Sequence, residues 1–428
     1  MSKHQSSYRP RVVDEELEEL AAALPAVAIV GPKGVGKTAT ARRRATTLHA
    51  LDDPVQRSVA LADPPRLLEA PPPILIDEWQ YVPESWDLVR RAVDEGADPG
   101  RFLLTGSASP SGVETHSGAG RIVTVRMRPL SLSERGVDRP SVSLRKHLQG
   151  SRPSVQGHTE TRLEGYVEEI LGSGFPGIRH LTGRPLRAQL DGYLDRIIDR
   201  DFLELGHQVR NPAALRRWMT AYAAASSSTA SFETIRDAAT GGEGDKPAKT
   251  TVQPYRDVLE RLWILEPVPA WAPTRNHIRR LSSPPKHQLA DPALAARLLG
   301  ADADALLSAE PRNLSVPRGG SLLGALFESL VTLSVRTYAQ ASEAQVFHLR
   351  TARGEHEVDL IVERGDGRVL AIEVKLARDV TEEDGRHLRW LADRIGDSLL
   401  DAMIVTTGQH AYRRPDGIAV VPAALLGA

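Results

Sequence analysis

Two rhythms of apolar residues run along this chain. Short apolar runs at 27–30, 74–76 and 102–104 are bounded by breakers or charge and predict buried strands of a parallel sheet, although periodicity alone leaves a helix open at 74–76. Amphipathic stretches precede and separate them, starting with the acidic 13–20. This alternation predicts a sheet covered by helices up to about residue 135. Leu190, Tyr193, Leu194, Ile197 and Ile198 recur at helical spacing and predict a core-facing helix. A helix through Leu215 and Trp218 follows, then helical stretches at 231–239 and 249–262 and a strand-like run at 268–271. The final part opens with an apolar helix at 322–331. Strands are expected at 346–350, 357–363 and 369–375, the last two joined as a hairpin through Gly365-Asp366-Gly367. Residues 136–160 and 308–320 are rich in breakers and polar side chains and read as linkers.

The first strand runs into Gly31-Pro32-Lys33-Gly34-Val35-Gly36-Lys37-Thr38, a G-x-x-x-x-G-K-T pattern with a helix-forming stretch behind it. Glycines allow backbone conformations that let successive N–H groups curl around a phosphate chain. Lys37 is expected to reach the β- and γ-phosphates, and Thr38 to ligate Mg²⁺. The helix N-terminus adds positive dipole. A chance Gly-rich turn has the same composition, but the strand before it and the helix after it favour phosphate binding.

The second run ends in Asp77-Glu78, two carboxylates at the strand end where open α/β sheets bind ligands. Asp77 would hold Mg²⁺ through water and Glu78 would polarise the attacking water; a helix-capping pair is the plainer alternative. The third run ends in Thr105-Gly106-Ser107, whose hydroxyls would sense the γ-phosphate or simply close an ordinary strand. Arg121 is a candidate finger for transition-state charge, within its own subunit or in a neighbour's site, against the reading of a surface arginine.

With Asp77-Glu78-Trp79-Gln80-Tyr81-Val82-Pro83-Glu84-Ser85-Trp86, Leu103-Leu104-Thr105-Gly106-Ser107, Gly174-Phe175-Pro176, Tyr193, Arg200-Asp201 and Glu373-Val374-Lys375, the chain resembles a prokaryotic AAA-type ATPase family. Its members carry a compact P-loop domain followed by a C-terminal region of unknown function. The resemblance spans most of the chain and implies ATP and Mg²⁺ as cofactors of the first domain. Arg200-Asp201 itself reads as a structural salt bridge or a contact to the nucleotide domain.

Composition adds limits. The chain has 428 residues, room for two to four domains. Hydrophobic residues make up 41% and charged residues 25%, as in a globular protein. The net charge of −1 neither demands nor excludes nucleic acid, so any basic surface is local. There is no cysteine, which excludes disulfides and thiolate metal sites. No run is long and apolar enough to span a bilayer, and the first residues lack a signal core, so a cytoplasmic protein without a membrane partner is expected.

The middle stretch suits a winged helix-turn-helix, with Lys249, Thr250, Thr251, Gln253 and Arg256 on the helix that would meet DNA. The same module also serves as packing between domains. A basic stretch over 272–292, with Arg275, Arg279, Arg280, Lys286 and His287, tilts toward DNA. The hairpin carries Asp359 on one strand and Glu373 and Lys375 on the next, behind a helical Glu328. This resembles the PD-(D/E)XK nuclease superfamily, with Val358 where proline is frequent. The resemblance implies Mg²⁺ on Asp359 and Glu373, Lys375 beside the reacting phosphate, and Glu328 as a further ligand or support. A degenerate nuclease fold used for binding is the alternative.

The expected fold class is α/β throughout. Residues 1–135 form a P-loop NTPase domain, 136–160 a linker, 161–307 a helical and winged-helix region, 308–320 a linker, and 321–428 a nuclease-like domain. The expected function is ATP hydrolysis coupled to action on DNA, in repair, remodelling or defence, with a nuclease domain, by a chain that forms homo-oligomers. Two alternatives stay open: an ATP-gated regulatory protein without nucleic-acid chemistry, and a DNA motor without cleavage.

Overall fold

The computed structural model describes residues 8–107, 119–240, 249–272, 283–308, 321–351 and 354–428. Five strands open the fold: β1 (Ala26–Val30), β2 (Thr47–Ala50), β3 (Ile74–Asp77), β4 (Phe102–Gly106) and β5 (Val123–Arg126). They form a parallel sheet in the order β2-β3-β4-β1-β5. The three apolar runs are its centre, buried on both faces, which is why they read as unbroken rather than alternating. In an all-parallel sheet the C-terminal strand ends share one edge. Here that edge gathers Gly31 after β1, Asp77 on β3 and Thr105 on β4, the last two directly opposite in register. Helices Val13–Ala23, Lys37–Arg42, Pro54–Ala62 and Glu84–Asp94 flank the sheet.

The C-terminal unit is a mixed sheet. Its strands are β7 (Gly157–His158), β8 (Gln345–Arg350), β9 (Glu357–Glu363), β10 (Val369–Lys375), β11 (Leu399–Thr406), β12 (His410–Arg413) and β13 (Ala419–Pro422). They run in the order β7-β12-β13-β11-β10-β9-β8. β9 and β10 are an antiparallel hairpin; β10 and β11 are parallel and connected through helix Arg386–Ile395. Alternate residues serve opposite faces. Leu360, Leu370, Ile372 and Met403 join a core with Leu326 and Leu330 of helix Leu322–Gln340. Val358, Ile361, Ala371 and Ile404 pack with Leu388 and Leu391 of the other helix.

The stretch 136–160 is not a linker. β6 (Val142–Ser143) pairs with β14 (Leu426–Gly427), and β7 pairs with β12. Between them helix Leu144–Leu148 buries His147, whose Nδ1 lies 2.7 Å from Asp401 Oδ2 on β11. Elements this short leave no periodicity, so only their polar flanks were legible. Residues 309–320, the other expected linker, lie outside the described residues.

The middle region is helical: Leu163–Leu171, Gly183–Arg196, Pro212–Ala224, Phe232–Ala238, Lys249–Arg261, Pro292–Leu298 and Ala303–Leu307. Antiparallel bridges join Leu265 to Leu289 and Val268 to Lys286, and Ala270 then lies beside His348 of β8. The middle region thus covers the β8 edge, which would otherwise offer unpaired backbone groups. Trp271 enters the C-terminal core. Lys286 and His287 are 1% exposed, so neither belongs to a basic surface. Arg275, Arg279 and Arg280 lie outside the described residues. Among the described residues, no helix is long and apolar enough to cross a membrane.

Glu266 ties all three units together. Arg126 and Arg128, at the exit of β5, reach its carboxylate at 3.0 and 2.7 Å. Arg336 of helix Leu322–Gln340 lies 3.4 Å from it and also donates to the Glu266 and Pro267 carbonyls. Gln340 accepts from Arg128 and donates to the Arg126 carbonyl. Burial pushes the Glu266 carboxyl upward, but three guanidiniums hold it far below the usual carboxylate range. Removing the one anion strands buried Arg336 and the partly buried Arg126 and Arg128. Glu266→Ala is expected to cost about 3–5 kcal/mol in urea unfolding, whereas Glu266→Gln keeps the shape and is expected to cost less.

Candidate nucleotide site and a carboxylate cluster

The P-loop fits its fold tightly. Gly31 has φ +150°, and a Cβ there would lie 2.1 Å from the Met127 carbonyl oxygen, so only glycine passes. Gly36 has φ +99° and starts helix Lys37–Arg42. Arg11, paired with Glu134 at 2.9 Å, donates to the Val35 carbonyl and anchors the loop from behind. Lys37 is folded back on the loop: its Nζ donates to the Gly31 and Pro32 carbonyls at 2.9 Å each and lies 3.2 Å from Ser107 Oγ. Burial pulls its pKa down to about 8, against the pull of Glu78 and Asp77. Thr38 Oγ1 donates to Asp77 Oδ1 at 2.9 Å, and Thr105 donates to the same oxygen. Two hydroxyls and one carboxylate oxygen thus converge at the first turn of the helix, an oxygen-rich set that suits Mg²⁺.

Glu78 follows in a left-handed conformation, φ +54°, which a residue with a Cβ holds only under constraint from its surroundings. Its carboxylate accepts from Gln80 Nε2. Burial pushes this carboxyl up, and Lys37 opposes. Arg121 stands elsewhere. It precedes β5, whose Val123 pairs with Val27, so it lies at the sheet edge opposite the P-loop. Its Nε donates to exposed Asp94 at 2.7 Å. Arg121 therefore does not reach the phosphate position of its own chain.

The middle region forms the other wall. Phe175 packs on Tyr193 and is the nearest side chain to Gly34, while Pro176 approaches Gly36. Tyr193 donates to the Lys33 carbonyl at 3.0 Å. Lys33 Nζ reaches Asp201 and Glu204 at 2.7 Å each. Asp201 ends a π-helical turn, Ile197–Asp201, an irregularity frequent at functional sites. Burial pulls Lys33 down, yet the two carboxylates hold it above its ordinary value. A cavity of about 140 Å³ beside them is lined by Lys33, Gln80, Ser107, Asp201 and Glu204. Glu204, 171 positions from Lys33, was not legible as a site residue; Asp201, 168 positions away, reads in the sequence with Arg200 as a structural salt bridge or a contact to the nucleotide domain, and its bond to Lys33 is such a contact.

Several known proteins and domain families resemble this chain. Residues 24–135 match the sequence profile of the AAA domain. This part of the chain is therefore similar to AAA-type P-loop ATPase domains. Residues 163–305 and 323–426 match two domains of unknown function, DUF8612 and DUF4143. Uncharacterized proteins of Mycobacterium tuberculosis and Mycobacterium bovis are each 28% identical over 411 residues, 93% of this chain and 80% of theirs. The Walker-type ATPase of Pyrococcus abyssi is 16% identical with a TM-score of 0.37, over 67% of this chain and 94% of that one.

In the C-terminal unit, Asp359 of β9 and Glu373 and Lys375 of β10 come together, with Glu328 of helix Leu322–Gln340 behind them. Val374 N–H fixes Asp359 Oδ2 at 2.9 Å, and Lys375 Nζ pairs with Glu373 Oε2 at 3.0 Å. Lys286 occupies the centre. Its Nζ lies 2.9 Å from Glu328, 3.0 Å from Asp359 and 3.3 Å from Glu357. Among the described residues, no three acidic or histidine groups are arranged to hold a metal ion. The divalent ion expected on Asp359, Glu373 and Glu328 therefore does not fit this arrangement, because an ammonium already stands among the carboxylates.

The depressed Lys37 predicts a proton linkage. Between about pH 8 and its ordinary value of 10.5 the free protein holds Lys37 mostly neutral, while a polyphosphate favours the ammonium. Nucleotide binding at pH 9 is expected to take up protons, and uptake is expected to shrink toward pH 7. Calorimetry in buffers of different ionisation enthalpy measures it, with Lys37→Met as the control without uptake.

Proposed function

We propose that this chain binds and hydrolyses ATP with Mg²⁺ and passes its nucleotide state to the helical middle region through Lys33. The contact of Lys33, inside the P-loop, with Asp201 and Glu204 carries this reading. Main-chain N–H groups of 31–38 and the Lys37 ammonium would hold the phosphates. Thr38 and Asp77 would hold Mg²⁺, which when bound neutralises phosphate charge and polarises the γ-phosphoryl group. Glu78 would orient the attacking water, with Gln80 fixing its carboxylate. Lys37 must leave the Gly31 and Pro32 carbonyls to meet phosphate. Lys33 would then exchange part of its bond to Asp201 and Glu204 for phosphate, loosening the grip of the middle region.

Lys37→Ala is expected to lower ATP turnover by on the order of 10²–10³-fold. Glu78→Gln is expected to retain ATP binding with turnover reduced on a similar scale. Turnover at the wild-type rate in either purified variant refutes the assigned role.

Action on DNA is the second reading. Thr250, Thr251 and Gln253 face outward on helix Lys249–Arg261, while Val252, Tyr255 and Val258 face the core, which favours an outward reading face. Arg256 instead lies over the Phe232 ring and near Asp257 and Glu260; the Lys249 side chain lies outside the described residues. If this face meets DNA, ATP turnover rises with DNA, and changing Thr250, Thr251 and Gln253 together to Glu abolishes that rise. An unchanged rate with single- and double-stranded DNA assigns the chain to the ATP-gated regulatory reading. Further copies of the chain remain part of the proposal: Arg121, half exposed and paired with Asp94 away from its own site, would be available to a neighbour's site.

A further inference from the structure

The nucleotide site gathers more carboxylates than cations. Asp77, Glu78, Asp201 and Glu204 stand there against Lys33 and Lys37. A polyphosphate adds negative charge, and that charge shifts among its oxygens as the γ-phosphoryl group is transferred. A guanidinium placed at those oxygens stabilises the shift. Arg121 stands at the opposite edge of the sheet.

Topology puts a different arginine at the right edge. β2 pairs with β3 in parallel, Ala50 opposite Asp77, so the chain leaves β2 beside the Asp77-Glu78 exit. Helix Pro54–Ala62 starts there. Asp53 caps it by accepting from the Val55 and Gln56 N–H groups, and Pro54 opens it. The Gln56 side chain accepts from the Ala50 N–H, which ties the helix start to the strand end. Arg57 lies in the first turn, its Cζ over the Tyr81 ring at 5.2 Å from the centroid. Tyr81 belongs to the turn after Glu78 and lines the same cavity as Lys33, Gln80 and Ser107. Burial and the Glu204 and Glu78 carboxylates push its phenol upward, while Lys33 and Arg57 pull it down. One ring thus separates Arg57 from the site.

The guanidinium is parked there rather than built in. Among the described residues it makes no hydrogen bond and no ion pair. Tyr81 is 36% exposed, and a cation over a partly exposed ring is weakly held. The helix itself has little purchase on the core. Of its nine residues only Ala60 is buried, and Val55, Val59 and Leu61 are exposed. Arg57 can therefore leave the ring without breaking another bond.

We propose that Arg57 is a catalytic arginine of its own chain. With nucleotide bound, its guanidinium leaves Tyr81, enters the cavity beside Lys33 and Ser107, and pairs with the oxygens on which charge develops. The water oxygen bonds to the γ-phosphorus. The bond from that phosphorus to the bridging oxygen breaks, and ADP keeps the electron pair. The water proton passes by way of Glu78 to solvent, and Arg57 exchanges no proton. This inference rests on the ATPase reading.

Arg57→Ala in the full chain is expected to lower kcat for ATP on the order of 10³-fold with KM little changed. Its Tm is expected to stay near wild type, since no bond of the guanidinium is lost. Arg57→Lys is expected to recover little, because an ammonium lacks the planar fork. A transition-state analogue separates catalysis from structure. ADP with Mg²⁺ and aluminium fluoride is expected to raise the Tm of wild type beyond ADP with Mg²⁺ alone, and Arg57→Ala is expected to lose only that extra shift. Mixing Arg57→Ala with Lys37→Ala chains is expected to restore nothing. Wild-type turnover in Arg57→Ala, or an undiminished response to aluminium fluoride, overturns the proposal. Restored turnover in the mixture also overturns it, because the arginine would then serve a neighbour's site. If wild type shows no turnover that depends on Lys37, the ATPase reading itself falls and this inference falls with it.

Discussion

The buried carboxylate of Glu266 is the interaction on which the arrangement of the three units depends. It meets arginines from the end of the ATPase sheet and from the long C-terminal helix while sitting on the middle region itself. Three cations around one anion are stable only while all are held in place, because each buried charge needs its partner. The Glu266 and Pro267 carbonyls accept from Arg336 and Gln340 Oε1 accepts from Arg128, while Arg126 Nε has no hydrogen-bond partner among the described residues. A continuous hydrophobic core from Val13 to Leu426 runs past this cluster. The units are therefore joined here by charge and core, and at the P-loop by the contacts of Lys33 with Asp201, Glu204 and Tyr193.

That location has consequences for chemistry. The back of the P-loop is fixed by Arg11 and by the near-contact of Gly31 with Met127. Its front carries the ionic contacts of Lys33 with Asp201 and Glu204. Glu78 is kept in a strained backbone conformation between β3 and the short turn Trp79–Tyr81. A fixed back, a strained carboxylate and an ionic front thus border one site.

The C-terminal sheet repeats the theme of one unit completing another. Its two edges are covered by chain from outside 321–428: β7 on one side and the 268–271 stretch on the other. Lys286 follows from the same ladder. A nuclease-like constellation in sequence becomes, in three dimensions, a set of carboxylates neutralised by a lysine from the middle region.

Several features were decided by the sequence alone. Unbroken apolar runs defined the central parallel strands, because strands buried on both faces tolerate no polar alternation. The spacing of glycines, Lys37 and Thr38 defined the phosphate loop, because its backbone geometry is local. Asp77 and Glu78 were legible as residues at the end of such a strand, and Asp359, Glu373 and Lys375 as neighbours across a hairpin. Tertiary structure alone decided the rest. The opposite ends of a parallel strand are indistinguishable by composition, so only the fold removed Arg121 from its own phosphate site. Residues 142–158 became sheet and core because their partners lie more than two hundred positions away. Lys286 looked like surface charge beside its basic neighbours and is buried, since burial of a charge depends on partners that only the folded chain assembles.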